Sequence, residues 1–282
     1  VAANLFDTPE RREAIDFSQP YQQDLAVLVI LENDQEEQGF WDSVKDSFES
    51  TFIREDRWRL ILNGLLVTLE LGAFSGVLGT VLGFGLCLLT RSRHKWLRGP
   101  ANGFCTLMQG IPNLVVLMII YFVVFASVDL SPVTVGIIAF SIMFSVSVSG
   151  VLNSGINAVD KGQWEAASAL GFSRAGSFVR VIMPQALRHV LPLYKGELVA
   201  MVKLTSIVGY ISIEDLTKAG DIIRSRTFDA FFPLLATAAI YFAISSLIIF
   251  AVGRLEIDID PKRRPRRLPK GVNAETAGAA SA

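Results

Sequence analysis

Residues 101–127 read ANGFCTLMQGIPNLVVLMIIYFVVFAS, 27 positions without an Asp, Glu, Lys or Arg. A helix crosses the ~30 Å hydrocarbon core of a bilayer with about 20 apolar residues. A helix buried inside a soluble protein rarely stays uncharged for so long, so the stretch is read as a membrane span. Four others meet the same criterion. They are residues 61–89, with Glu70 as their one charge; 132–153, uncharged; 190–211, carrying Lys195, Glu197 and Lys203; and 231–253, uncharged. The expected fold class is an all-α membrane protein with five transmembrane helices.

Composition points the same way. The chain is 51% hydrophobic and 19% charged, with a net charge of -1. Residues 60–253 carry 22 charges in 194 positions, whereas the other 88 positions carry 31. A disordered chain is not this apolar, and a soluble globule spreads its charges more evenly. The one dense basic cluster, residues 262–267, is too local for a nucleic-acid-binding face. Cys87 and Cys105 lie in apolar stretches without a CxxC pair, and His94 and His189 are far apart in sequence. This excludes a disulfide framework and a zinc site.

Lys and Arg in the short loops set the orientation. Residues 91–98 hold four, residues 160–189 four and the tail after Gly253 seven. Residues 128–131 hold none, and residues 212–230 hold three against four acids. The first and third loops and the C-terminus are therefore expected in the cytoplasm and the N-terminus outside, with 15 basic residues inside against 9 outside. Five spans require the ends to lie on opposite sides, which agrees.

Upstream of the spans the chain changes character. Its first residue is Val1 and no secretory signal precedes the spans, so it is read as a fragment or a processed product. Residues 24–31 read as a buried strand and residues 32–38 as a charged linker. Over residues 39–59, Trp41, Val44, Phe48 and Phe52 recur at helical spacing, opposite Asp42, Lys45, Asp46 and Glu49. That pattern predicts an amphipathic helix lying on the outer membrane surface. Residues 60–254 form the transmembrane domain, and residues 255–282 a basic disordered tail.

Within the spans, Pro112 removes a backbone donor and Gly110 permits close approach, so Gln109-Gly110-Ile111-Pro112 predicts a kink bordering a cavity. Gly72, Gly76, Gly79, Gly83 and Gly85 include a small-xxx-small face suited to close helix packing. An ionisable group in a span costs about 2.5–3.5 kcal/mol at the centre and is functional by default. Lys203 is the leading candidate, to attract a substrate carboxylate; Lys195 and Glu197 are expected to pair or to snorkel. Gln109, Asn113, Asn153, Ser154, Thr205 and Ser206 are candidate hydrogen-bonding groups along a substrate pathway, although polar residues also glue helices together.

Residues 161–187 are too polar for a span and too long for a tight turn. Residues 165–170 are strongly helix-forming, Gly171 suits a left-handed C-terminal cap, and Ser173 suits the N-cap of a second helix. The result is a two-helix knuckle projecting from the membrane.

This knuckle resembles the membrane subunits of ATP-binding-cassette importers, whose signature runs Glu-Ala-Ala, three residues, Gly, nine residues, Ile-x-Leu-Pro. The matching residues are Glu165, Ala166, Ala167, Gly171, Val181, Met183 and Pro184. The resemblance extends to the polar-amino-acid branch. Met108 to Pro112 is similar to its Arg-Gly-Thr-Pro, Lys161 to Glu165 to its Lys-Gly-Gln-x-Glu, and Lys203 to Ser206 to its Lys-Asp-Thr-Ser. It implies a five-span type I permease in a bacterial inner membrane. A second permease subunit, in a homodimer, and separate ATPase subunits would be its partners. Glu165, Ala166, Ala167, Gly171 and Pro184 would transmit ATP-driven motion to an alternating-access pathway lined by Gln109, Gly110, Pro112, Asn113, Asn153, Ser154, Lys203, Thr205 and Ser206. Gly150, Asn153 and Leu204 replace charged residues common in the branch, which implies a glutamine-like or acidic substrate rather than a cationic one. No G-x4-G-K-[ST] loop occurs, so ATP and Mg belong to the partner ATPase, and the chain itself is a transport subunit without cofactor and not an enzyme.

Thr8-Pro9-Glu10-Arg11 and Asp16-Phe17-Ser18-Gln19-Pro20-Tyr21 are similar to extracellular amino-acid-binding receptors, which makes residues 1–38 a receptor fragment or remnant. Two other classes remain open at this point. A ligand-gated channel is suggested by residues 207–211, which partly match the potassium filter Thr-Val-Gly-Tyr-Gly. A non-transporting membrane sensor is the other.

Overall fold

The computed structural model describes residues 40–259, which form helices and their connections, with no strand among them. Residues 43–259 belong to one compact unit, and of the other unit only residues 40–42 are described. The receptor-like segment, the expected strand over residues 24–31 and most of the basic tail lie outside the described residues.

Helix α1 (Phe40–Phe48) is followed by a π-helical turn over Glu49–Ile53 and a 3-10 turn over Arg54–Asp56. One continuous amphipathic helix over residues 39–59 is therefore not what forms. Glu55 and Asp56 adopt left-handed φ values of 56° and 54°, which ends the helix. Arg57 folds back so that its Nη1 donates to the Ser50 carbonyl at 2.6 Å.

Among the described residues three unbroken helices are long and apolar enough to cross a membrane: α2 (Trp58–Thr90), α5 (Pro132–Asn157) and α10 (Phe231–Ile259). Two further candidates are bent pairs. Helix α3 (Lys95–Gly110) meets α4, which runs from Asn113 through a π-helical end at Val124, at 111°. The helical run Arg174–Ile211 meets α9 (Leu216–Thr227) at 55°. That run comprises α7 (Arg174–Ser177), a π-helical turn, α8 (Met183–Leu204) and a 3-10 stretch over Thr205–Ile211. Helix α6 (Lys161–Ala169) stands between α5 and α7. Five spans are reached only when each bent pair counts as one.

The expected kink at Pro112 is a full break. Ile111 is extended (φ -106°, ψ 135°), as a residue before proline prefers to be, and Pro112 is extended too (ψ 135°). Two consecutive non-helical residues redirect the chain where one bent residue would only tilt it. Helix α5 starts by the opposite use of proline. Ser131 caps it by accepting from the Thr134 amide at 3.2 Å, and Pro132 occupies the first turn, where no donor is lost.

A seam of small residues brings the helices of the core together. On α2, a Cβ added at Gly79 would lie 2.9 Å from Phe144, and one at Gly83 would lie 2.6 Å from Val148 and 2.8 Å from the Ser145 carbonyl. Both glycines thus let α2 lie directly against the α5 backbone. Gly72 and Gly76 face Val202 and Met201 of α8, whereas Gly85 has open space around it. The same device joins α5 to α8, where a Cβ at Gly155 would run into Val190.

Polar groups in the seam are paired. Ser75 donates to the Ile137 carbonyl, and the Thr80 and Tyr194 hydroxyls lie 2.7 Å apart. Thr68 accepts from the Leu216 amide at 3.1 Å. The next helix begins there, capped by the fully buried Asp215, which accepts from the Thr217 and Lys218 amides and from the Tyr241 hydroxyl. Lys195 pairs with Glu256 of α10 at 2.9 Å, joining α8 to α10, and not with its sequence neighbour Glu197.

Candidate functional site

The hairpin over residues 161–178 is built from local signals. Asp160 caps α6 by accepting from the Gly162 amide at 2.6 Å. The helix ends at Gly171, whose φ of +80° is open to glycine without penalty. Its amide donates to the Ser168 carbonyl at 3.0 Å, and the Phe172 amide to the Ala167 carbonyl at 3.1 Å, which closes a Schellman motif. Ser173 then caps α7 through the Gly176 amide at 3.1 Å.

Packing fixes this hairpin to the bundle. Trp164 stacks on Phe178, Ala167 is buried, and Gln185 of α8 donates to the Gln163 side chain at 3.0 Å. Glu165, Ala166 and Gly171 stay exposed, as does Leu170 at 78%. Pro184 is exposed in the first turn of α8. The hairpin therefore offers an apolar tip and one carboxylate outward while its inner side is locked.

The break between α3 and α4 borders a second feature. Met108 to Asn113, with Met143, Val146 and Ser147 of α5, line a cavity of about 520 Å³. Asn113, Met143 and Ser147 also line an adjoining cavity of about 220 Å³, together with Phe140, Phe144, Glu197, Ala200, Met201 and Leu204. Non-helical backbone at membrane depth is tolerated where it lines a cavity of this kind. Among the described residues, the side chains of Gln109, Asn113, Ser147 and Glu197 make no hydrogen bond within the chain. The site thus gathers two carboxamides, a hydroxyl and a carboxylate with their bonding capacity unspent.

Of the residues expected on a pathway, Gln109, Gly110, Pro112 and Asn113 come together here, and the others do not. Lys203 and Ser206 line a separate cavity of about 520 Å³ against α9 and α10, with Thr217, Thr237, Tyr241 and Ser245. Thr205 is fully buried and donates to the Val202 carbonyl at 2.8 Å. Asn153 lies at the hairpin end, donating to Thr90 and accepting from Arg91, and Ser154 is exposed outside the cavities described. Helix geometry explains the split of Lys203 from Glu197, since six residues at about 100° each put them roughly 120° apart around the axis. The same arithmetic places Glu197, Met201 and Leu204 on one face.

Spanning helices around a glycine seam, a broken helix with unspent polar groups and a rigid hairpin beyond the spans define a multi-span helical membrane protein of the transport kind. The chain belongs to the family of binding-protein-dependent transport system inner membrane components, whose model matches residues 75–260. It is 35% identical over 198 residues to a putative glutamine transport system permease protein GlnP of Rickettsia conorii, covering 70% of this chain and 91% of the relative. It is also 35% identical over 188 residues to a probable amino-acid ABC transporter permease protein YckA of Bacillus subtilis, covering 66% of this chain and 83% of that one. Among solved structures, an amino acid ABC transporter crystallised with histidines aligns with a TM-score of 0.65 at 32% identity, over 77% of this chain and 97% of the other. The MetNI methionine transporter in an inward-facing form, at 18% identity and a TM-score of 0.64, shares the fold.

Proposed function

We propose that the chain is the permease subunit of an ATP-driven importer for a neutral polar amino acid of the glutamine type. The observation that carries this reading is the group Gln109, Asn113, Ser147 and Glu197, polar side chains without internal partners around a helix break. Carboxamides and a hydroxyl match an amide side chain, and Glu197 matches the ammonium group of any amino acid. The Glu197 carboxylate also disfavours an acidic substrate, because two carboxylates in a low-dielectric site repel. Lys203 faces the other cavity and has no part in this recognition.

The Glu165–Gly171 hairpin receives the stroke of a partner ATPase subunit, where ATP and Mg are bound, and a second copy of this chain completes the pathway. The hairpin end faces the cytoplasm, with the N-terminus outside. In this arrangement residues 39–59 form the interfacial segment, residues 60–254 the transmembrane domain and residues 255–282 the cytoplasmic tail. A receptor origin for residues 1–38 rests on their sequence resemblance alone.

The test is competition for labelled glutamine uptake into proteoliposomes holding the chain, its ATPase and a substrate receptor. Unlabelled glutamine should compete and glutamate and arginine should not. Stronger competition by either charged amino acid overturns the substrate assignment, and current or flux without ATP supports the channel reading instead.

A further inference from the structure

A concavity of about 1190 Å³ lies between the α2–α3 connection and the hairpin. Five cations line it, Arg91, Arg93, Arg98, Lys161 and Arg174, against one acid, Glu165. Among the described residues none of the five forms an ion pair. Arg91 is held in place, donating to the Asn157 side chain at 2.9 Å and the Asn153 side chain at 3.2 Å, so the concavity has a fixed wall. Five cations against one acid leave an excess of positive charge that repels itself, and a surface that keeps them together is suited to an anion.

Its depth in the membrane indicates which anion. Residues 71–90 of α2 are 20 uncharged positions, about 30 Å of helix and one hydrocarbon thickness. Arg91 therefore stands where lipid headgroups begin. Beside it Trp96 is 91% exposed and Leu97 48% exposed. An exposed tryptophan flanked by Arg and Lys is the pattern of a membrane–water boundary, and clustered cations there attract anionic lipid. A cytosolic acidic protein would meet the same charges, but nothing in that reading uses the outward Trp96 and Leu97.

We infer that this concavity binds the phosphate headgroup of an anionic phospholipid in the leaflet at the hairpin end, so that a lipid wedges between the first loop and the hairpin. The inference rests on the chain spanning a membrane and not on its substrate, so the two can fail separately.

The experiment is tryptophan quenching in the full chain, reconstituted in phosphatidylcholine nanodiscs doped with phosphatidylglycerol brominated on its acyl chains, or with brominated phosphatidylcholine at equal fraction. Trp96 adjoins the site and Trp164 lines it. Brominated phosphatidylglycerol should quench the more strongly. The double variant Arg93→Gln/Arg174→Gln, whose side chains make no bond within the described chain, should lower the apparent affinity roughly thirtyfold. Arg180→Gln/Arg188→Gln, which removes as many charges outside the concavity, should retain the preference. A thermal-unfolding midpoint equal to wild type shows that both variants are folded. Equal quenching by the two lipids, an unchanged preference in the first variant or an equal loss in the second overturns the proposal. So does displacement by inorganic phosphate at constant ionic strength, which assigns the site to the free anion. Displacement by one equivalent of the ATPase subunit assigns it to an acidic protein and overturns it as well.

Discussion

Gly171→Ala isolates the contribution of one backbone angle to the hairpin. The cap requires φ of +80°, and a Cβ at this position would meet nothing within 4 Å. Crowding therefore adds nothing, and the whole cost is that of placing an L-residue in the left-handed region, about 1–2 kcal/mol. If that cost falls on the two Schellman bonds, the Phe172 amide, bonded to the Ala167 carbonyl at 3.1 Å, should lose protection from hydrogen exchange by about 5- to 30-fold. Gly171→Asn, which tolerates this conformation better, should lose less. The Ser177 amide, bonded to the Ser173 carbonyl in the next helix, should be unchanged. Exchange measured by mass spectrometry on the chain assembled with its ATPase in nanodiscs reads all three. In proteoliposomes holding the same assembly, more ATP should be hydrolysed per substrate moved. Wild-type protection at Phe172 in the alanine variant refutes the cap as the element that holds the hairpin rigid.

Three other outcomes follow from the packing. Glu197→Gln should raise the half-saturating substrate concentration in an uptake assay, whereas Lys203→Leu should leave it unchanged because Lys203 lines a different cavity. Gly83→Ala should destabilise the chain by about 1–3 kcal/mol through overpacking against Val148 and the Ser145 carbonyl, while Gly85→Ala, which meets open space, should be neutral or slightly stabilising. A thiol-reactive dye reporting exposure of the buried Cys87 during heating separates the two. Lys195→Met should cost about 2 kcal/mol by removing the Lys195–Glu256 ion pair; the Lys195 side chain is 26% exposed, so solvent holds this below the cost in a dry core. Adding Glu256→Gln should recover most of the loss in a thermal-unfolding assay.

Sequence patterns resolved what depends on local rules. The hairpin's cap at Gly171 and its restart at Ser173 follow from the chemistry of those residues, and both appear where expected. The close packing at Gly79 and Gly83 is likewise visible as glycine spacing, although only the fold shows that Gly85 faces away. The depth of the break at Pro112 was hidden, because a proline alone predicts a kink and the second extended residue, Ile111, owes its conformation to the proline after it. The division of Lys203 from Glu197 was available from helix arithmetic, but which side of α8 meets the cavity depends on the tertiary packing of α5. Asp215 carried no sequence signal of its tertiary role, since it accepts from Tyr241 of one distant helix while Thr68 of another accepts the adjacent Leu216 amide.

The central claim is that the hairpin transmits an ATPase stroke to a pathway through the spans. ATP-driven uptake by proteoliposomes containing the chain, its ATPase and a substrate receptor, compared between wild type and Glu165→Lys, tests it most directly. The exposed Glu165 makes no ion pair among the described residues, so its reversal should leave membrane insertion intact. The account predicts that the variant still hydrolyses ATP and no longer accumulates substrate. Normal ATP-driven uptake by the variant would contradict it.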